Sequence, residues 1–102
     1  MDEKKMQEMQ ILEQNLQQIF MQKQSFEMEL QETEAGLAEL NSSKADEAFK
    51  IIGQLMIKTD KEKMKEELVG KEKILKMRLE SIAKQEGAFM EKAEELRKEV
   101  VK

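Results

Sequence analysis

The stretch FKIIGQLMIKTDKEKM, residues 49–64, decides the fold of this 102-residue chain. Within residues 49–58 of this stretch, four β-branched or aromatic side chains surround the dipeptide Gly53-Gln54. Glycine at the first central position of a two-residue turn is typical of a type II′ β-hairpin. A third short helix is the alternative, and these residue types disfavour it. We therefore predict a β-hairpin over residues 49–58.

Long helices are predicted on both sides of this hairpin, at 5–42 and 60–101. On each side, the residues found in steps of three and four, which is the spacing of a heptad seam, are mostly apolar. The first seam contains Met9, Leu12, Leu16, Ile19, Lys23, Phe26, Leu30, Thr33, Leu37 and Leu40. The second contains Leu68, Glu72, Leu75, Leu79, Ile82, Glu86, Phe89, Ala93, Leu96 and Val100.

The two seams can pair if the chain folds back on itself at the hairpin. Antiparallel pairing would place Leu12 near Leu96 in one matched layer. The same register sets Lys23 opposite Glu86, where each seam has a polar interruption. Such a pair contributes little net stability, but it penalises a slipped register. The alternative is that each of these long side chains reaches water independently.

Local signals place the inner ends of both helices. The segment NSSKADEAF, 41–49, is expected to end the first helix, because Asn and Ser side chains compete for backbone hydrogen bonds. Thr59 followed by Glu62 resembles a capping box and is expected to begin the second helix.

Composition excludes several classes of function. The chain is 39% hydrophobic and 39% charged, and it contains no proline, cysteine, histidine, tryptophan or tyrosine. Disulfides, thiolate or imidazole metal sites and catalysis by His or Cys are therefore excluded. Nothing resembles a phosphate loop or a nucleophile motif. We predict no catalytic site, no metal and no cofactor.

Charge and hydropathy bear on partners and location. The net charge is −4, and the sequence lacks the concentrated basic stripe with free aromatic residues that a nucleic-acid-binding protein would need. It also lacks an apolar run long enough to cross a membrane, and the N-terminal MDEKKMQEMQ lacks the apolar core of a signal peptide. We expect a soluble cytoplasmic protein that binds neither nucleic acid nor membrane.

A lone two-stranded hairpin is only marginally stable in water, and both of its strands are edges. The predicted hairpin therefore needs partners, and hairpins from several subunits could pair into a shared sheet or barrel. The predicted fold is mainly α: a long antiparallel coiled-coil helical hairpin with a central β-hairpin that oligomerises into a β-barrel.

The predicted order of helix, β-hairpin and helix extends over about a hundred residues. The junction between strand and second helix reads FKIIGQLMIKTDKEKMKEEL, and the second helix contains RLESIAKQE. Together these features match the pattern of a known family. The chain resembles the β-subunit family of archaeal prefoldin over nearly its whole length. The resemblance implies one prefoldin-like domain over 1–102 and a hexamer of two α-type and four β-type subunits. It also implies an ATP-independent chaperone that holds unfolded proteins at coiled-coil tips and passes them to a group II chaperonin.

Two sets of site residues follow from this interpretation. The oligomerisation hairpin comprises Phe49, Ile51, Ile52, Gly53, Leu55, Met56 and Ile57. The client-binding tips, formed by the two chain termini, comprise Met6, Met9, Ile11, Leu12, Met90, Leu96, Val100 and Val101. For the tip residues that lie on the seams, the alternative interpretation is that they are ordinary core residues.

A further stripe lies off the seams and contains Ile11, Met21, Met28, Ile74 and Met77. Methionine adapts to varied apolar surfaces, so this stripe could contact clients. Scattered exposed apolar residues are equally normal on a soluble protein. The competing function is a structural or adaptor coiled coil that oligomerises through its hairpin and carries no client.

Overall fold

The computed structural model describes residues 3–101, with side chains for residues 3–99. Helix α1 spans Glu3–Ser42, strand β1 Glu47–Ile52, strand β2 Leu55–Asp60 and helix α2 Lys61–Val101. Two long helices flanking a β-hairpin confirm the predicted mainly α fold. The strands extend two residues beyond each end of the predicted 49–58, and α1 begins at Glu3 rather than at residue 5.

The chain forms two compact units. The terminal unit comprises Met1–Glu27 and Arg78–Lys102, and the hairpin unit comprises Met28–Met77. In the terminal unit Lys5 Nζ lies 3.1 Å from Glu99 Oε2, and Lys23 Nζ lies 3.4 Å from Glu86 Oε1. The residue number on α1 rises from Lys5 to Lys23, whereas the residue number of the ion-pair partner on α2 falls from Glu99 to Glu86. The two helix segments of this unit therefore run antiparallel.

The core of each unit follows the predicted seams. Every seam position with a described side chain is buried or half-buried. The buried residues are Leu12, Ile19, Ile82 and Leu96 in the terminal unit, and Thr33, Met64 and Leu75 in the hairpin unit. Full burial of an aliphatic side chain stabilises the fold by roughly 1.5–3 kcal/mol relative to exposure, so this seam supplies the main driving force. Met64 continues the second seam one step beyond Leu68, and the sequence prediction stopped short of it.

Thr33 is the polar member of this core, and its hydroxyl group explains why it is tolerated there. Thr33 Oγ1 donates a hydrogen bond to the backbone carbonyl oxygen of Glu29 at 2.7 Å. A buried hydroxyl that finds a partner one helical turn back avoids the cost of an unpaired polar group. No buried side-chain nitrogen or oxygen atom in the described part of the chain lacks a hydrogen-bond partner.

The first helix ends where the Asn-Ser segment predicted. The backbone N–H of Ser43 donates to the carbonyl oxygen of Glu39 at 3.0 Å, and Ser42 Oγ donates to the same oxygen at 3.1 Å. These bonds satisfy one of the carbonyl groups that a helix end leaves free.

The predicted capping residue of the second helix was wrong. Thr59 lies within β2, opposite Ala48, and α2 begins at Lys61. The N-cap is Asp60, whose Oδ1 accepts a hydrogen bond from the backbone N–H of Glu62 at 3.3 Å. This is the geometry in which an N-cap side chain satisfies an N–H of the first turn. Because β2 runs directly into the helix, the cap is one residue later than the Thr-x-x-Glu pattern suggested.

The hairpin has the turn that its glycine predicted. Strands β1 and β2 pair antiparallel with Ile52 opposite Leu55, which leaves Gly53 and Gln54 as the two turn residues. Gly53 has a φ of 60°, and no non-glycine residue of the described chain has a positive φ. A positive φ at the first central position alone is the mark of a type II′ turn, since type I′ requires it at both positions.

Candidate interaction surfaces

One face of the hairpin is apolar and exposed. Residues directly opposite each other in an antiparallel pair point to the same side, so Phe49, Ile51 and Met56 share a face. Their side chains are 60%, 70% and 67% exposed respectively. We call these three residues the open hairpin face. At its margin Lys58 Nζ lies 2.9 Å from Glu47 Oε2, which pairs the charges at the base of the two strands.

The opposite face is partly covered near the base of the strands. Ala48, Lys50 and Thr59 on this face are half-buried. Lys50 Nζ lies 3.0 Å from Glu67 Oε2, an ion pair that links β1 to α2. Towards the turn, Ile52, Leu55 and Ile57 on this face are exposed. The structure thus brings all the predicted hairpin residues into one small sheet with apolar surface on both sides.

The edges of the sheet are a second possible interaction surface. It contains two strands within the described residues, in the order β1-β2, so each strand pairs along one side only. Unpaired backbone N–H and C=O groups along such an edge can accept another strand. An exposed apolar face combined with two open edges is suited to pairing with hairpins of other subunits.

The predicted client residues of the terminal unit divide into exposed and buried sets. Met6, Ile11 and Met90 are 42%, 57% and 58% exposed. Met9 is half-buried, and Leu12 and Leu96 are buried in the seam between the helices. Val100 and Val101 are also predicted to contact clients, and their side chains lie outside the described part of the structure.

The off-seam stripe is exposed throughout, and it has a member that the prediction missed. Ile11, Met21, Met28, Ile74 and Met77 are all exposed. Phe20, beside Met21 on α1, is 54% exposed, although a phenyl ring gains more from burial than most side chains. Its position directly after the seam residue Ile19 was the available signal, because consecutive helical residues cannot both face the partner helix.

Residues 3–101 contain neither a candidate metal site nor a candidate membrane-spanning helix. Within that range, no group of three or more acidic, histidine or cysteine residues is arranged to hold a metal ion. None of the described helices combines the length and apolar character that crossing a membrane requires.

Sequence comparisons identify the relatives of this chain. The profile of a family described as prefoldin subunit matches residues 3–102. The prefoldin subunit beta of Thermococcus onnurineus is 37% identical over 91 residues, which cover 86% of this chain and 77% of the relative. The prefoldin subunit beta of Sulfurisphaera tokodaii is 34% identical over 93 residues, covering 90% of this chain and 74% of the relative.

Solved structures agree with this result. The crystal structure of the prefoldin beta subunit from Thermococcus strain KS-1 superimposes with a TM-score of 0.84 at 33% identity, covering 94% of this chain and 85% of that one. The beta2 subunit from the same strain gives a TM-score of 0.78 at 24% identity, covering 86% and 95% of the two chains. The second likeness concerns the fold alone.

Proposed function

The chain belongs to the archaeal prefoldin β-subunit family, a family of chaperone subunits, and from this membership we propose that it is an ATP-independent holdase subunit. In this proposal it binds unfolded proteins at the coiled-coil tips and delivers them to a group II chaperonin. Its place of action is the cytoplasm. It performs no catalysis and uses no cofactor, nucleic acid or membrane.

The proposed particle is assembled by the hairpin. The open hairpin face and the unpaired strand edges would be covered when hairpins of several subunits form a shared β-barrel. We propose a hexamer of two α-type and four β-type subunits, so the chain requires an α-type partner. The observation that carries this proposal is the exposure of Phe49, Ile51 and Met56, because an apolar face of this kind on a two-stranded sheet calls for a partner.

The proposed client surface lies in the terminal unit. Met6, Ile11 and Met90 support it, since they are exposed while the seam beside them is buried. Unfolded chains display apolar side chains without a fixed arrangement, and flexible methionine side chains can adapt to them. Helix ends also open more easily than helix centres, so Met9, Leu12 and Leu96 could join this surface transiently.

Native mass spectrometry with and without a candidate α-type subunit tests the assembly. We expect a hexamer when the α-type subunit is present. A parallel assay should measure how the particle affects the aggregation of a chemically denatured client without ATP, and we expect suppression. A stable oligomer that leaves aggregation unchanged would instead support the structural or adaptor function.

A further inference from the structure

The charged side chains of the hairpin all find partners within the chain. The two strands contain four of them, two acidic and two basic. Glu47 pairs with Lys58 at 2.9 Å. Lys50 of β1 pairs with Glu67 of α2 at 3.0 Å, and Asp60 accepts the hydrogen bond that caps α2. The hairpin therefore carries no net charge, and each of its charges is engaged before another subunit is met.

The Glu47–Lys58 pair lies where a neighbouring strand would be added. Ile52 and Leu55 flank the two-residue turn and lie opposite each other. Residues in this position exchange backbone hydrogen bonds, and every second pair along an antiparallel ladder does the same. The residues between them turn their N–H and C=O groups to the free edges of the sheet. Glu47 on β1 and Lys58 on β2 belong to this outward-facing set, as do the three residues of the open hairpin face.

The ion pair crosses the sheet from one edge strand to the other. Glu47 lies opposite Asp60, and Lys58 lies opposite Phe49. The pair therefore runs diagonally across one face of the sheet, where the long side chains of diagonal neighbours can meet. The Glu47 and Lys58 side chains are 58% and 61% exposed respectively, which places them on the surface that an added strand would cover. One interaction thus neutralises the charge beside both edges.

This pairing decides which neighbour the hairpin fits. An exposed ion pair stabilises a folded chain only slightly. A charge that is covered by another strand without an opposite charge loses its water and is strongly disfavoured. A neighbour that brings a free charge would meet this penalty, because Glu47 and Lys58 are already engaged with each other. A neighbour with apolar side chains would instead contact Phe49, Ile51 and Met56, which are all exposed.

The hairpin of a second copy of this chain meets both requirements. Its charges are engaged within its own chain, and its open hairpin face is apolar. Two such hairpins can therefore lie side by side without covering an unpaired charge. The alternative arrangement is a shared ion pair, in which Glu47 of one copy binds Lys58 of the next. That arrangement would make each copy sensitive to the charge of its neighbour.

We propose that a second copy of this hairpin packs beside the first through uncharged contacts alone, and that the Glu47–Lys58 pair permits this by neutralising both edges. This inference rests on the proposed assembly through the hairpin and specifies how a neighbour is selected. The pair thereby has a role in partner choice, whereas charges on edge strands commonly serve to prevent further strands from adding. Partner choice and edge protection have different consequences when the pair is altered.

The first test asks whether neighbouring copies respond to each other's charge. Glu47→Lys with Lys58→Glu reverses the pair and keeps it within the chain. Isotope-labelled chains with the reversed pair are mixed with unlabelled chains that keep the natural pair, in the presence of a candidate α-type subunit. Both forms carry Gln54→Cys at the exposed turn. Since the natural chain contains no cysteine, a bis-maleimide links copies of it only through this site, and mass spectrometry counts the linked pairs.

We expect labelled and unlabelled copies to be linked in the proportions of random mixing. Preferential links between like copies would show that charge is recognised across the interface. A lack of links between copies would show that the neighbour is the α-type subunit. Either of these two results would overturn the proposal.

The second test leaves one charge unpaired and measures assembly by native mass spectrometry across a dilution series. Lys58→Gln should weaken assembly about tenfold, because Glu47 is then covered without a partner. Lys76→Gln is the matched control and should assemble as wild type does, since Lys76 is also an exposed member of an ion pair but lies on α2. Unchanged assembly of the Lys58→Gln chain would overturn the proposal, as would particles larger than those of wild type, which would show that the charge limits strand addition. Failure of the unaltered chain to assemble with the α-type subunit would instead contradict the proposed function.

Discussion

Gly53 is the residue on which the hairpin depends most directly. Its φ of 60° lies in a region that L-residues other than glycine rarely adopt, and a Cβ added there would meet no atom within 4 Å. Any cost of a substitution would therefore come from backbone strain rather than from a steric clash with neighbours. Such strain costs on the order of 1–3 kcal/mol for one residue.

Gly53→Ala should destabilise the hairpin by about 1–3 kcal/mol and weaken assembly, because the turn must strain or change type. Denaturant unfolding together with native mass spectrometry measures both effects. Gly70→Ala is a matched control, since Gly70 is helical and a Cβ there also meets no atom within 4 Å. This control should stabilise the chain by up to about 1 kcal/mol. Equal effects of the two substitutions would show that the turn does not need glycine.

At the level of elements, hydrophobic spacing predicted most of the fold. Eight of ten positions in each seam are apolar, and this excess sets the buried face of both helices. The hairpin was predictable because Gly53 stands between β-branched residues. The capping residue was not, because Thr59 and Asp60 are both good N-caps and only the extent of β2 decides between them.

The interaction surfaces were predictable only in part. The hairpin residues follow from the glycine turn and its β-branched neighbours, and the off-seam stripe follows from helical periodicity. The cleft between the two helix segments of the terminal unit does not, because it requires Gln85 of α2 to lie near Gln18 and Gln22 of α1. The spacing of apolar positions does not show which polar residues of the two helices lie beside each other.

The Lys23–Glu86 pair tests the predicted register of the two helices in the terminal unit. The atoms are 3.4 Å apart, and the side chains are 35% and 25% exposed, so solvent screens much of the attraction. A double-mutant cycle with Lys23→Gln and Glu86→Gln should give a coupling energy below about 1 kcal/mol. High salt should reduce it further. A coupling energy of zero at low salt would show that the two side chains reach water independently.

At the level of the whole molecule, assembly and client binding should be separable, because the proposed surfaces belong to different units. Phe49→Ser, Ile51→Ser and Met56→Ser together should lower the particle mass while leaving the helix content unchanged. The reason is that these side chains are exposed in the monomer, so the substitution removes subunit contacts rather than core. Native mass spectrometry and circular dichroism measure the two outcomes. A hexamer of unchanged stability would show that the open hairpin face is not the assembly surface.

For substitutions in the proposed client surface we expect the opposite result, in which assembly is kept and client binding is weakened. Met6→Ser, Ile11→Ser and Met90→Ser should leave the hexamer intact and weaken the suppression of client aggregation. Each lost apolar contact is worth roughly 1 kcal/mol or more, so client affinity should fall at least about tenfold.

The matched control for this variant replaces two methionines and one isoleucine of similar exposure in the hairpin unit. It combines Met28→Ser, Ile74→Ser and Met77→Ser. If clients are held by the terminal unit, this control should protect them as wild type does. If instead both variants lose protection equally, total exposed apolar area would govern holdase activity, and the surface near the termini would have no special part in it. The comparison therefore asks where on the chain a client is held, independently of how many apolar residues the chain exposes.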